Sequence, residues 1–526
     1  MHQAETLVFL LALMTALVVV SRKLELPYPV LLVLGGLAIS FIPHLPALRL
    51  EPNFVFYFCL PPLIFPAALF TSWRDFRRNL RPILLLAVGL VLFTMAAVAA
   101  VAHAIVENIP WAAAFALGAI VSPPDAIAAT AVIRRLSVLR RIEAVVEGES
   151  LVNDATALVA LQFAVAAVTT GSFSLGYAAV QFVFVALGGV AIGFLVGFAV
   201  RWVQKHLDDP PVQIAITLLT PFVAYLSAER LHVSGVLATV TAGIYLGWHL
   251  PLIAKARYRL QAQAFWEMIV FLINGLVFMT IGLQLPEILR QLTGESWAHL
   301  IGIGAAVSAI VILVRIAWLF PAAWLPRLLS RKLRQRDPMP SWQELAVVAW
   351  SGMRGVVSLA AAFALPFTLS NGVPFPGRGY ILYLTFCVIL ATLVLQGLTL
   401  PLLIRKLGVT SDGLNDEEER DARFQANRAA LELIERLASE CEVPRDVAQR
   451  LEAEYRERIQ ELQRCASAGD PSGEVATPHY RRLQHEALKI ERQTIIRLRN
   501  EQVINDEALR RIQRDLDLAE ARLTGD

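Results

Sequence analysis

The first 408 residues alternate long apolar stretches with short polar loops, a pattern typical of helices that cross a membrane. Thirteen of these stretches approach the roughly 20 residues that a helix needs to span a bilayer. Their approximate bounds are 4–20, 28–43, 54–71, 82–105, 112–133, 144–169, 177–204, 212–228, 233–249, 263–286, 298–325, 344–369 and 380–404. The pattern predicts an all-α polytopic membrane protein with about 13 transmembrane helices in a domain at 1–408.

The remainder of the chain, 412–526, is dense in charged and amide side chains. Its apolar residues keep helical spacing at about 416–440, 444–466 and 478–522. We expect a helical tail outside the membrane, and favour a simple helical appendage over a ligand-binding module.

The basic residues of the loops indicate the orientation of the chain. When the membrane-domain loops are taken alternately, one set holds 20 Lys and Arg residues and the other holds 4. In membrane proteins, the cytoplasmic loops carry the excess of Lys and Arg residues. One missed or added span would scramble this alternation, so it supports thirteen spans with the N-terminus outside and the tail in the cytoplasm. The first apolar run has no basic segment before it, so we expect no cleaved signal peptide. The short loops and the lack of targeting signals suggest a location in the plasma membrane.

Composition excludes several function classes. The chain is 56% hydrophobic and 17% charged, whereas a soluble protein carries about 25% charged residues. It has no P-loop, no dinucleotide fingerprint and no His/Cys metal cluster, and its four cysteines suggest no disulfide framework. We therefore expect no cofactor, no enzymatic activity and no nucleic-acid partner, with membrane lipid as the surroundings.

Thirteen spans can divide into six, a linker span, and six. The odd offset of seven between paired spans reverses their orientation, which is the inverted repeat of many secondary transporters. The fifth span, broken by Pro123-Pro124, then pairs with the twelfth, which contains Ser351-Gly352-Met353-Arg354-Gly355. We expect two interrupted helices that cross, whose freed backbone groups need protein, water or an ion as partners.

Carboxylates lie inside the fifth and sixth spans, at Asp125 and Asp154. A carboxylate near a bilayer centre costs roughly 2.5 to 3.5 kcal/mol, so such groups persist where they face a water-filled path. Asp154 shares a helix face with Ser150, and Asn153 shares the adjacent face with Glu149, because residues four apart are neighbours. Hard cations such as Na⁺ need several oxygen ligands, and these segments can supply them. Asp125 can also cap the half-helix that follows it, and the two roles are compatible.

Arg354 requires a nearby anion, since an unpaired buried guanidinium is very costly. Glu149 is the best candidate, which predicts a structural Glu149–Arg354 ion pair. The alternative for Glu149 is an acid that decorates a helix N-terminus, where the dipole favours negative charge, and this is the interpretation we prefer for Glu143 and Glu147. Two further deep charges, Arg315 and Glu267, fit structural pairing or snorkelling.

Several short motifs resemble those of the monovalent cation:proton antiporter-1 family, the sodium/proton exchangers. They occur in the family's order between residues 60 and 360. The motifs are Leu60-Pro61-Pro62-Leu63, Ser122-Pro123-Pro124-Asp125, Gly148-Glu149-Ser150-Leu151-Val152-Asn153-Asp154-Ala155, Phe265-Trp266-Glu267 with Asn274, and Gly352-Met353-Arg354-Gly355.

The resemblance implies a homodimer of thirteen-span protomers and a Na⁺ site at Asp154 and Asp125. It implies that Asn153, Ser150 and Ser122 complete this site, and it repeats the Glu149–Arg354 pair. The chain departs from the pattern twice, because Pro66 and Pro124 stand where some members carry an acid and a threonine. A side-chain ligand is therefore absent at each position, which leaves ion selectivity open.

The sequence predicts a secondary antiporter that exchanges Na⁺, or Li⁺ or K⁺, for H⁺ by alternating access. One titrating carboxylate, with Asn153 in place of a second acid, predicts electroneutral 1:1 exchange. The alternatives are a K⁺/H⁺ antiporter and a membrane sensor that signals through the tail. A membrane-embedded enzyme has no supporting motif.

Overall fold

Helices form almost all of the described backbone in the computed structural model. The structure describes residues 2–520 apart from 25, 42–51, 137, 172–173, 291, 293–294, 332–334, 336, 338, 370–371, 410–413, 441–443, 469–477, 502–511, 514–515 and 517. The chain divides into two compact units, 1–410 and 411–526.

The first unit contains seventeen helices of five or more residues among its described residues, and a three-residue helical turn, Pro52–Phe54, directly precedes the third. They are α1 (His2–Leu24), α2 (Tyr28–Ser40), α3 (Val55–Phe70), α4 (Trp73–Arg78), α5 (Leu80–Ile105), α6 (Trp111–Val121), α7 (Ala126–Arg135), α8 (Arg140–Thr170), α9 (Leu175–Lys205), α10 (Pro210–Arg230), α11 (Gly235–Ile253), α12 (Ala256–Leu283), α13 (Leu285–Arg290), α14 (Trp297–Leu329), α15 (Trp342–Trp350), α16 (Val356–Phe363) and α17 (Arg378–Leu407).

Each of the thirteen predicted stretches falls on one or two of these helices. Within the described part of the chain, nine helical stretches are long and apolar enough to cross a membrane, and α2 and α3 are shorter apolar helices. The all-α membrane fold and the two interruptions, between α6 and α7 and between α15 and α16, are confirmed. The number thirteen and the inverted repeat stay predictions.

Close helix packing holds α2 against α12. A Cβ atom added to Gly36 of α2 would collide with the carbonyl oxygen of Met279, and one added to Gly282 of α12 would collide with that of Val33. Small residues allow membrane helices to approach in this way, with van der Waals contact between their backbones. The contact fixes α12, which forms one wall of the cavity described below.

The second unit contains three described helices, α18 (Leu414–Ser439), α19 (Arg445–Ala468) and α20 (Pro478–Asn500). The predicted helices at 416–440 and 444–466 are confirmed. The predicted helix at 478–522 is confirmed as far as Asn500, and residues 502–511 lie outside the described residues, as does Asp412 at the predicted start of the tail.

Candidate functional site

The first helix interruption is caused by two consecutive prolines. α6 ends at Val121 and α7 begins at Ala126, because neither Pro123 nor Pro124 has an N–H group to continue the helical ladder. Asp125 then caps α7, where its Oδ1 accepts a hydrogen bond from the backbone N–H of Ile127 at 2.9 Å. The predicted cap is confirmed, and it places a carboxylate at the positive end of a helix dipole.

The second interruption meets the first. The chain is non-helical from Ser351 to Gly355, and the backbone N–H of Asp125 donates to the carbonyl oxygen of Met353 at 2.7 Å. The Arg354 Nε donates to the carbonyl oxygen of Val121 at 3.0 Å. The two broken helices are therefore joined at their breaks by backbone groups that the breaks set free, as the crossing of interrupted helices predicts.

Glycine at position 355 makes this contact possible. A Cβ atom there would lie within the Asp125 carboxylate, clashing with its Oδ2, Cγ and Cβ atoms. The Gly355 backbone is in an extended conformation that other residues also adopt, with φ of −140°, so space rather than backbone freedom requires glycine.

Helix α8 supplies polar side chains to the same junction. Asn153 Nδ2 donates to the carbonyl oxygen of Pro124 at 2.9 Å, and Ser150 Oγ accepts from the backbone N–H of Ala126 at 3.3 Å. Both contacts tie α8 to the break between α6 and α7. They satisfy backbone groups that would otherwise be unpaired inside the membrane domain.

A cavity of about 350 Å³ opens beside the junction. Its lining includes Asp154, Asp125 and Ser150, so the structure brings these three predicted site residues together. Arg134 and Glu147 also line it, and Arg134 Nη2 lies 2.6 Å from Glu147 Oε1.

Asp154 differs from the other carboxylates that line this cavity, Asp125, Glu147 and Glu267, each of which accepts a hydrogen bond or forms an ion pair. Its side chain is 9% exposed, and among the described residues none donates a hydrogen bond to it. A buried carboxylate without a donor is strongly disfavoured in its charged form. It can be stabilised either by taking a proton or by binding a cation, which is the chemistry of an ion-exchange site.

Comparison with known proteins agrees with this chemistry. The model of the family described as "Sodium/hydrogen exchanger, transmembrane" matches residues 8–406. The chain belongs to the sodium/hydrogen exchanger family. It is a multi-pass membrane protein of an antiporter class.

Curated relatives cover most of this exchanger. An uncharacterized Na⁺/H⁺ exchanger of Mycobacterium tuberculosis is 36% identical over 98% of this chain and 96% of its own length. A sodium, potassium, lithium and rubidium/H⁺ antiporter of Bacillus subtilis is 32% identical over 90% of this chain and 71% of its own length. A Na⁺/H⁺ antiporter of Aphanothece halophytica is 33% identical over 78% of this chain and 75% of its own length.

A solved structure has the same fold. The sodium proton antiporter of Methanocaldococcus jannaschii matches with a TM-score of 0.62 at 21% identity, over 77% of this chain and 99% of that one. The membrane unit of this exchanger therefore has the antiporter fold.

The predicted Glu149–Arg354 pair is wrong. Glu149 instead pairs with Arg315, which donates from Nη1 to Oε1 at 2.6 Å and from Nη2 to Oε2 at 2.8 Å. Arg354 donates to the carbonyl oxygens of Val121, Ser122 and Gly352. The physical reason is that a broken helix leaves carbonyl groups at its C-terminal end, and these carry the negative end of the dipole that a guanidinium can satisfy.

Two predicted site residues have other contacts. Ser122 is fully buried, and its Oγ donates to the carbonyl oxygen of Ala119 at 3.0 Å. Asn153 is also fully buried, behind Pro124. Neither side chain is part of the cavity lining, although the Asn153 Oδ1 has no hydrogen-bond partner among the described residues.

Several residues of the cavity are not among the predicted site residues. The sequence predicts only a helix-dipole role for Glu147 and Glu143, whereas Arg134 and Glu147 line the cavity and Arg134 pairs with both acids. Arg134 is 65% exposed, and this exposed end of the lining is called the cavity mouth. The sequence places Asn274 and Trp266 only in a family motif, and both line the cavity. Besides that motif, the sequence signal for Asn274 is an amide within the apolar part of α12.

Proposed function

We propose that this exchanger carries Na⁺ in exchange for H⁺ across the plasma membrane, with Asp154 as the group that binds either ion. The observation that carries the proposal is the buried Asp154 carboxylate without a protein donor, in a cavity beside two broken helices. Uptake of a proton and binding of a cation each satisfy this carboxylate, so the two ions compete for it.

The remaining charged groups favour electroneutral exchange of one Na⁺ for one H⁺. Asp125 accepts a hydrogen bond from Ile127 at the N-terminus of α7, a position where the helix dipole favours negative charge. Arg354 keeps its charge at all relevant pH values. Asp154 is then the one carboxylate of the junction that alternates between proton and cation, and Ser150 and Asp125 line the cavity beside it. Asn153 and Ser122, which are buried outside the lining, would support the Na⁺ site indirectly, by their bonds to the backbone of the first break.

The proposed orientation places the N-terminus outside and the tail in the cytoplasm. Arg134 and Glu147, which line the cavity, are close to the connection between α7 and α8, which is flanked by Arg134, Arg135, Arg140 and Arg141. In this orientation the cavity opens to the cytoplasm, and alternating access requires a second state that opens it outward. A homodimer in lipid, with 1–408 as the exchange domain and 412–526 as the cytoplasmic tail, follows from the resemblance and belongs to the same proposal.

Potassium is the second candidate cation. The relative from Bacillus subtilis is named for exchange of sodium, potassium, lithium and rubidium. Because the sodium and potassium ions carry the same charge, the competition at Asp154 operates for either of them. Which cation is carried therefore depends on the relative affinities of the site for the two ions, and the mechanism is the same for both.

The test is dequenching of a pH-sensitive dye in everted vesicles after addition of NaCl, LiCl or KCl. The proposal expects alkalinisation of the vesicle lumen with Na⁺, and none in vesicles that contain Asp154→Asn. Lack of response to every cation would reject exchange and favour a sensor. Reconstituted protein under a potassium–valinomycin potential tests the stoichiometry, since a rate that follows the voltage would contradict 1:1 exchange.

A further inference from the structure

The cavity beside Asp154 contains a second group of polar side chains that the proposed mechanism leaves without a role. Asn274 and Trp266 of α12 line this cavity with Tyr28 of α2. Asn274 is 0% exposed and Trp266 is 1% exposed. Among the described residues, no group bonds to Oδ1 or Nδ2 of Asn274 or to Nε1 of Trp266.

These orphaned atoms require partners from within the cavity. A buried donor or acceptor without a partner is destabilising, and native structures rarely keep such groups. The Tyr28 hydroxyl approaches the Asn274 carboxamide without completing a hydrogen bond to it. The close packing at Gly36 and Gly282 holds α2 and α12 together, which fixes the position of the helix that carries the Asn274 carboxamide.

The chemistry of the cavity indicates which partner fits. Asp154, Asp125 and Ser150 contribute oxygen-bearing side chains to the lining, and a hard cation requires more oxygen ligands than a single carboxylate gives. Pro66 also lines the cavity but has no side-chain ligand. The Asn274 Oδ1 is an uncharged oxygen of the kind that coordinates such ions in proteins.

We propose that Asn274 is a further cation-binding residue of the exchanger, whose carboxamide oxygen contacts the transported monovalent cation inside this cavity. This inference rests on the proposed function, since it assigns a ligand to the cation that Asp154 exchanges. It adds a neutral oxygen to the site, which affects affinity and ion preference without changing the proton count.

The experiment compares three variants with wild type in proteoliposomes, with the apparent KM and maximal rate measured for Na⁺, Li⁺ and K⁺. Asn274→Leu should raise the apparent KM for the preferred cation roughly tenfold with a smaller change in maximal rate, since it removes a binding contact. Asn274→Asp should lower the apparent KM, because a carboxylate binds the cation more strongly. A purely structural role does not predict opposite shifts from these two substitutions.

Gln396→Leu is the matched control. Gln396 is 0% exposed, and its carboxamide atoms also lack partners among the described residues, but it does not line the cavity. Its apparent KM should stay within twofold of wild type. If both Asn274 variants also stay within twofold for all three cations, the inference is overturned.

If Asn274→Leu transports too poorly for a KM to be measured, cation binding is tested by thermal stabilisation instead. The rise in melting temperature of purified protein, on replacing choline chloride by NaCl at constant ionic strength, should shrink in Asn274→Leu and persist in Gln396→Leu. An unchanged rise in Asn274→Leu would overturn the inference. Failure of the proposed function has a different signature: wild type itself would show no cation-driven exchange.

Discussion

Arg315 holds the Glu149 carboxylate at both oxygens, at 2.6 and 2.8 Å, and each side chain is 1% exposed. The same guanidinium donates from Nη2 to the carbonyl oxygen of Val348 at 3.1 Å. One buried ion pair therefore joins α8, which carries Asp154, to α14 and to α15 directly before the second helix break. Arg354 is left to satisfy the carbonyl groups of the first break.

Breaking this pair should lower the free energy of unfolding of the membrane unit. It should not change the charge of the Asp154 carboxylate. Glu149→Gln or Arg315→Gln leaves one buried charge unpaired, which costs about 3–5 kcal/mol. The double variant should recover part of the loss. SDS-driven unfolding in mixed micelles gives the four free energies of a double-mutant cycle.

Arg354 supplies the matched comparison. Glu149→Gln and Arg354→Gln should couple more weakly than Glu149→Gln and Arg315→Gln, because Glu149 hydrogen-bonds to Arg315, whereas Arg354 bonds to carbonyl groups and interacts with Glu149 only through charge. Strong coupling between Glu149 and Arg354, with none to Arg315, would contradict the structure and restore the prediction made from sequence.

The sequence predicts the site but not every partner of its residues. The Pro123-Pro124 break was predictable because proline lacks a donor, and Ser150 and Asp154 share a face because they are four residues apart. The partner of Glu149 was not predictable, since spacing along α8 defines a face but not which helix that face meets. Arg315 lies 166 residues away along the chain, and only packing brings it there.

The same limit applies to the polar wall of α12. Asn274 sits in a stretch with apolar neighbours, and nothing in local spacing separates a cavity-lining amide from one bonded within the core. The glycine at 355 was predictable as a helix breaker, whereas its contact with the Asp125 carboxylate depends on the crossing of two distant segments.

Gly355→Ala should impair exchange with little loss of fold. The new Cβ would displace the Asp125 carboxylate, and a shift of about 1 Å at a functional site can reduce a rate roughly a hundredfold. Exchange rates in proteoliposomes and melting temperatures test this. Gly302→Ala is the control, because a Cβ there meets no atom within 4 Å; equal activities of the two variants would contradict the packing argument.

Arg134→Gln should strengthen cation capture at the cavity mouth. The substitution frees the carboxylates of Glu143 and Glu147 from their ion pairs, which should lower the apparent KM for Na⁺ about threefold at low ionic strength. Added choline chloride should screen the effect. Arg140→Gln is the control, since Arg140 pairs with Asp75 away from the cavity lining. An identical response from both variants would contradict a role of the Glu143 and Glu147 carboxylates in cation capture.

Deletion of residues 411–526 should leave exchange in place. Asp154, Asp125, Ser150 and Asn274 all belong to the compact unit 1–410, so the ion chemistry is complete without the tail. Dye dequenching in everted vesicles measures the result. Complete loss of exchange in a truncated protein that is still inserted at normal abundance would place an essential step in the tail.

The central claim is that the Asp154 carboxylate binds proton and cation in turn. The most direct measurement is Na⁺-driven proton release by purified, reconstituted Asp154→Asn, compared with wild type at equal protein density and equal melting temperature. Because a neutral amide binds neither ion in exchange for the other, we predict no exchange above that of protein-free liposomes. Exchange by this variant near the wild-type rate would show that another group carries the ions and would contradict the account.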